Sequence, residues 1–74
     1  DRVRRSALEA RTAQLTARER DVLECMLSGR ANKVIADELA ISVKTVEQHR
    51  AKVMEKMRVG SVAELVQAVE WLRR

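Results

Sequence analysis

Apolar residues recur along this chain at intervals of three and four, in short runs separated by capping residues. That spacing predicts helices and no strands. Val22, Leu23, Met26 and Leu27 share one face of a helix that opens within Leu15-Thr16-Ala17-Arg18-Glu19. There the Thr16 hydroxyl can accept the Glu19 N–H and the Glu19 carboxylate can reach back, a capping box with Leu15 ahead of it as a staple. Ser28-Gly29-Arg30 ends this helix, Gly29 supplying the left-handed residue. Ile35, Ala36 and Leu39 give an apolar face to a short helix that Asn32 caps. Ala40-Ile41-Ser42 is a tight connection, and Ser42 caps a longer helix from Val43 to about Met57, closed by Arg58-Val59-Gly60. Ser61-Val62-Ala63-Glu64 repeats the capping-box pattern and opens a last helix to about Leu72. Ahead of these, residues 1–14 carry Arg2, Arg4, Arg5 and Arg11 against Asp1 and Glu9, with a thin stripe of Val3, Ala7 and Ala10 and Leu8 beside it. The expected fold is all-α: a compact four-helix domain over residues 15–74, preceded by a partly helical linker over residues 1–14, for which an arm gripping DNA phosphates is the competing expectation.

Composition supports one small domain. The chain has 74 residues, 46% hydrophobic and 35% charged, with one Trp, no Phe or Tyr, no Pro and two Gly. An aliphatic core of this kind suits helix packed on helix. No apolar run approaches the roughly 18 residues of a membrane span, and no apolar signal segment opens the chain. Because the first residue is Asp1, the chain reads as part of something longer. The net charge of +4 raises the expectation of a polyanion partner. Cys25, the one cysteine, lies in the apolar stretch Leu23–Leu27 and reads as a small buried hydrophobe. With His49 the one histidine, no Cys/His metal site can be assembled. There is no nucleophile–base pair, metal cluster or phosphate loop, so neither an enzyme nor a cofactor is expected.

The segment from Asn32 to Ala51 meets the requirements of a helix-turn-helix. Its first helix buries Ile35 and Leu39. Small Ala36 allows close approach where the helices cross. Ile41 plugs a short turn. The second helix starts at a cap and buries Val46 early, which leaves its outer face free to enter a major groove. At 100° per residue, Val46, Arg50, Val53 and Met57 share the inner face, while Lys44, Gln48, Ala51 and Glu55 share the outer one, flanked by Glu47 and Lys52. The N-terminal outer surface is therefore Lys44, Glu47, Gln48 and Ala51. Gln can bond adenine N6/N7, Glu can accept from cytosine N4, and an Ala methyl can meet a thymine methyl. Asn32, Lys33, Ser42, Thr45, Lys52, Arg50 and His49 are the candidates for phosphate contacts, with packing and hydrogen bonding at the core edge as the competing expectation for His49. Arg50 sits on the core side, where it either reaches a phosphate or pairs with a carboxylate of the first domain helix, Glu19 first among them.

These residues in this order resemble the LuxR-type helix-turn-helix family: Leu15-Thr16-Ala17-Arg18-Glu19, Val22-Leu23, Gly29, Asn32-Lys33-Val34-Ile35-Ala36, Leu39-Ala40-Ile41-Ser42, Thr45-Val46, His49 and Lys56-Met57. They are closest in character to effector domains of FixJ/NarL-type bacterial response regulators. The resemblance covers about residues 15–70. It implies a cytoplasmic, nucleoid-associated bacterial transcription regulator of double-stranded DNA, with residues 43–57 as recognition helix. It also implies an N-terminal receiver domain outside this chain and homodimers on DNA through the last helix, and it is compatible with RNA polymerase as a partner. By the resemblance, phosphate contacts fall on Asn32, Lys33, Ser42 and Thr45, and base contacts on Glu47, Gln48 and Ala51. Glu47 departs from the basic residue that many members carry there.

On the last helix, Val62, Leu65, Val66, Val69 and Leu72 form the expected inner face. Trp71 falls on the far side in a stripe with Glu64 and Ala68, and this stripe is the expected dimer face. The competing expectation is that Trp71 frays onto the surface near the chain end or folds back on the linker. Two other readings of the whole chain stand beside DNA regulation by a LuxR-type domain: a sigma-factor-like promoter-binding domain, and a helical protein-interaction module without a nucleic-acid role.

Overall fold

In a computed structural model, which describes residues 2–74, five helices follow one another. They are α1 (Arg2–Ala13), α2 (Ala17–Leu27), α3 (Asn32–Leu39), α4 (Val43–Met57) and α5 (Val62–Leu72). Of the expected linker, Asp1 lies outside the described residues.

The helix starts are fixed by side-chain oxygens. At α2 both halves of the capping box form: Thr16 Oγ1 accepts the Glu19 N–H at 3.1 Å and Glu19 Oε1 accepts the Thr16 N–H at 2.9 Å. Leu15 enters the common core, and the position it would staple inside α2 is the polar Arg20. At α5, Ser61 Oγ accepts the Glu64 N–H, but the Glu64 carboxylate accepts the Gly60 N–H at 2.7 Å, one residue before the cap. At α3 the expected cap is displaced by one. Ala31 is the extended residue, so Asn32 is already helical and its side chain caps nothing.

The helix ends share one device. After α2, α3 and α4 a residue with positive φ reverses the chain: Gly29 (77°), Ala40 (55°) and Arg58 (57°). At each, the following amide bonds back across six residues, Arg30 to Cys25 O, Ile41 to Ala36 O and Val59 to Met54 O. These are Schellman closures. Only the first uses glycine. Gly60, expected to help end α4, leaves that conformation to Arg58.

Helix α4 is the centre of the domain and packs against all four others. Its Val46, Val53 and Met57 are fully buried together with Val22, Ile35 and Leu65. Cys25 is buried as a small hydrophobe, and α5 contributes Leu65 and Val69, while Val62 stays exposed at its first turn. Helix α1 is packed onto α4 and α5. Its buried residue is Leu8, flanked by half-buried Arg5, Arg11 and Thr12. The stripe expected from Val3, Ala7 and Ala10 faces solvent instead, Val3 being 82% exposed. One leucine removes more apolar area than two alanines, and the arginine stems can lie along the surface beside it. Among the described residues no helix is long and apolar enough to cross a membrane.

Candidate nucleic-acid interface

Helix α3, the turn Ala40–Ser42 and helix α4 form the helix-turn-helix. Ile35 and Ala36 are buried in it, and Ile41 and Leu39 pack on the core from the turn side. Ala40 makes the turn possible by adopting the left-handed region. Ser42 then caps α4, its Oγ accepting the Thr45 N–H at 3.0 Å. The Ser42 and Thr45 hydroxyl oxygens lie 2.9 Å apart, so one donates to the other and one O–H is left to donate elsewhere.

With Val46, Val53 and Met57 buried, the opposite surface of α4 is set by helical geometry. Lys44, Glu47, Gln48, Ala51 and Lys52 are all exposed along it. Lys33 is exposed at the start of α3 and Asn32 is half-buried. Thr45, His49 and Arg50 are also half-buried, at the border between the core and this surface. Lys52 lies 3.8 Å from Glu55 in an exposed pair that constrains it little. Helix α4 carries four Lys or Arg against two Glu, an excess of cations on the element that leads this face.

The ion pair expected between Arg50 and Glu19 does not form. Glu19 is 5% exposed, and its Oε1 accepts from Lys56 Nζ at 2.6 Å. The start of α2 thus lies beside the C-terminal turn of α4, about 9 Å further along the axis than Arg50. No ion pair among the described residues involves Arg50. Burial alone would push the Glu19 carboxyl up; the Lys56 ammonium and the Thr16 hydrogen bonds outweigh it and hold the group below the ordinary carboxylate range. Lys56 is a structural residue that reading the wheel for outward cations missed. Its signal was the same Glu19 that forms the capping box.

The stripe on α5 is occupied within the chain to a large extent. Trp71 is half-buried beneath α1, with the Arg4 guanidinium 4.5 Å and the Arg5 guanidinium 5.2 Å from the ring centre. Arg5 Nη1 also donates to Leu72 O at 2.7 Å. Ala68 is half-buried, and the Glu64 carboxylate is engaged by Gly60.

The same residues carry a clear likeness to known proteins. The family described as bacterial regulatory proteins, luxR family, matches residues 13–69. The transcriptional regulatory protein FixJ of Azorhizobium caulinodans is 55% identical over 62 residues, which are 84% of this chain and 29% of that protein. The tetrathionate response regulatory protein TtrR of Salmonella typhimurium is 49% identical over 77% of this chain and 28% of its own length. This chain therefore spans less than a third of the curated relatives it matches. Among solved structures, the response regulator StyR superposes with a TM-score of 0.91 at 43% identity, over 93% of this chain and 35% of that one. Full-length FixJ from B. japonicum gives a TM-score of 0.84 at 43% identity, over 92% of this chain and 34% of that one. Fold, helix-turn-helix geometry and sequence agree, and the chain belongs to the luxR family of bacterial regulatory proteins as a helix-turn-helix DNA-binding domain of the FixJ type.

Proposed function

We propose that this domain reads an operator by laying the N-terminal half of α4 in the major groove. The observation that carries the reading is the division of α4 itself: one face fully buried, the other an exposed row of Lys44, Glu47, Gln48 and Ala51 directly after a Ser42 cap. In this reading those four residues meet base edges. The unshared hydroxyl proton of the Ser42–Thr45 pair donates to a phosphate oxygen. Lys33, Lys52, Arg50, His49 and Asn32 complete the backbone contacts. Glu47 is a carboxylate among phosphates, so it favours positions where a cytosine amino group is offered. The test is selection from a random duplex library by the parent, Glu47→Ala and Gln48→Ala. Each variant should relax preference at one or two base pairs, at a cost of about 1–3 kcal/mol. Unchanged preference in both would refute direct readout by these side chains.

The wider role also rests on the relatives, several of which are response regulators by name. By that likeness the chain acts in the cytoplasm, over the bacterial nucleoid, as the effector part of a two-component regulator. A receiver domain would precede residues 1–14, which then form the end of the interdomain linker, and RNA polymerase is a partner consistent with transcription control. Two copies would meet through Glu64, Ala68 and Trp71 of α5 on half-sites about one helical turn apart. One short helix per side buries less than a standard interface, so the pairing should form on DNA and dissociate in dilute solution.

A further inference from the structure

Where α1 crosses the end of α5, the side chains of Arg2, Arg5, Trp71 and Arg74 enclose a hollow of about 440 Å³ open to solvent. Three of its four lining residues are arginines, and none comes from α3 or α4, the helices of the helix-turn-helix. Two features show that this is an organised surface and not a random cluster of solvated arginines. Arg5 is fixed by its hydrogen bond to Leu72 O, and Arg4 and Arg5 both lie against the Trp71 ring. Among the described residues, Arg2, Arg4, Arg5 and Arg74 take part in no ion pair, while the neighbouring Arg73 is held by Glu24 through both of its terminal nitrogens. Among the described residues no carboxylate is paired with the arginines that line the hollow.

We infer that this hollow is a docking site for a short acidic segment of a protein partner, one that brings two carboxylates and an adjacent apolar side chain. The carboxylates match the forked guanidinium donors, which bind planar anions in paired hydrogen bonds. The apolar side chain covers the exposed part of the Trp71 ring. The hollow is built from α1, the C-terminal end of α5 and Arg74 and takes nothing from the helix-turn-helix, which favours an acidic peptide over a duplex held by α4. The site lies off the proposed reading face, so it allows a protein contact while α4 is in the groove. Trp71 also belongs to the proposed dimer stripe, and the experiment separates the two roles.

Trp71 is the one Trp in a chain without Tyr, so its emission reports on this hollow and on the α5 stripe beside it, which Ala68→Arg separates. The probe is a peptide with the core Asp-Leu-Glu-Glu, titrated at low salt, with the Asn-Leu-Gln-Gln peptide and inorganic phosphate as controls. The acidic peptide should shift Trp71 emission saturably, and the effect should fade with added salt. Arg2→Glu combined with Arg74→Glu should weaken binding about tenfold or more, with thermal stability and duplex binding unchanged. Ala68→Arg, directed at the dimer stripe, should leave peptide binding intact. The inference is overturned if the amide peptide binds as well as the acidic one, or if the emission does not respond to peptide at millimolar concentration. It is equally overturned if a short duplex or free phosphate displaces the peptide, since the hollow would then be a phosphate contact.

Discussion

Lys56→Met should be the most damaging conservative change on the surface of this domain. Its ammonium is the counter-charge of Glu19, whose side chain is 7% exposed against 27% for Lys56. Removing one partner of a fully buried pair costs about 3–5 kcal/mol. Lys56 is partly solvated and the Thr16 N–H still reaches Glu19, so the loss should fall to about 2–3 kcal/mol. A chain of this length is stabilised by about 4–11 kcal/mol in all, and the midpoint of thermal unfolding should drop by about 10–20 °C. Adding Glu19→Gln should recover part of the loss, because a neutral amide keeps an acceptor for Thr16 without a stranded charge. The pH dependence gives the sign. Glu19 titrates below the ordinary carboxylate range in the fold, so the unfolded chain takes up its proton first as pH falls. The parent's advantage over Glu19→Gln is therefore complete above the ordinary carboxylate range and disappears as pH drops through the lowered value. In Lys56→Met only the Thr16 hydrogen bonds still oppose burial, so the lowering of the Glu19 carboxyl shrinks or is lost and that variant loses less stability than the parent on acidification. Urea unfolding followed by circular dichroism from pH 3 to 8 measures both. A Lys56→Met stability within about 0.5 kcal/mol of the parent, or the same pH trend in Lys56→Met as in the parent, would refute the buried-pair account. A parallel cycle on Glu19 and Arg50 should give coupling near zero.

Ala40→Gly should stabilise the domain by about 0.5–1 kcal/mol, since glycine takes the left-handed conformation without the steric cost of a Cβ; a lower unfolding midpoint would contradict this. Lys33→Ala should weaken binding about equally on all duplexes and lower the salt slope by about one. A loss confined to one base pair, seen in binding isotherms on variant duplexes, would assign Lys33 to base readout. Ala68→Arg should fold normally and lose cooperative binding to a paired half-site duplex, as read by gel shift. Retained cooperativity would move the dimer face elsewhere.

The helix boundaries were legible because the caps are local chemistry. Thr16 with Glu19, Ser42 and Ser61 each act on an amide three residues away, and the apolar spacing of α4 leaves only one face to bury. Features that depend on a distant partner were not legible. Nothing within α4 marks Lys56 over Arg50 as the partner of Glu19; the choice is made by how far α2 slides along α4. The left-handed conformations of Ala40 and Arg58 are imposed by the Schellman hydrogen bonds and by Ile41 and Val59 reaching the core, against the preference of the residues themselves. Likewise Trp71 looks outward when α5 is drawn alone. It is covered only because α1 packs against α5 and brings Arg4 and Arg5 onto the ring. The candidate interface was readable for the complementary reason: its residues are those that the core leaves out.

The most direct test of the central claim is to follow the backbone amides of the ¹⁵N-labelled domain by NMR while adding a duplex selected by the parent. The account predicts that the largest shifts fall on Ser42 to Lys52 and on Lys33, and that α1 and the end of α5 change little on a single half-site. Shifts concentrated on Arg2–Ala13 and Trp71, with Lys44 to Ala51 unmoved, would contradict it.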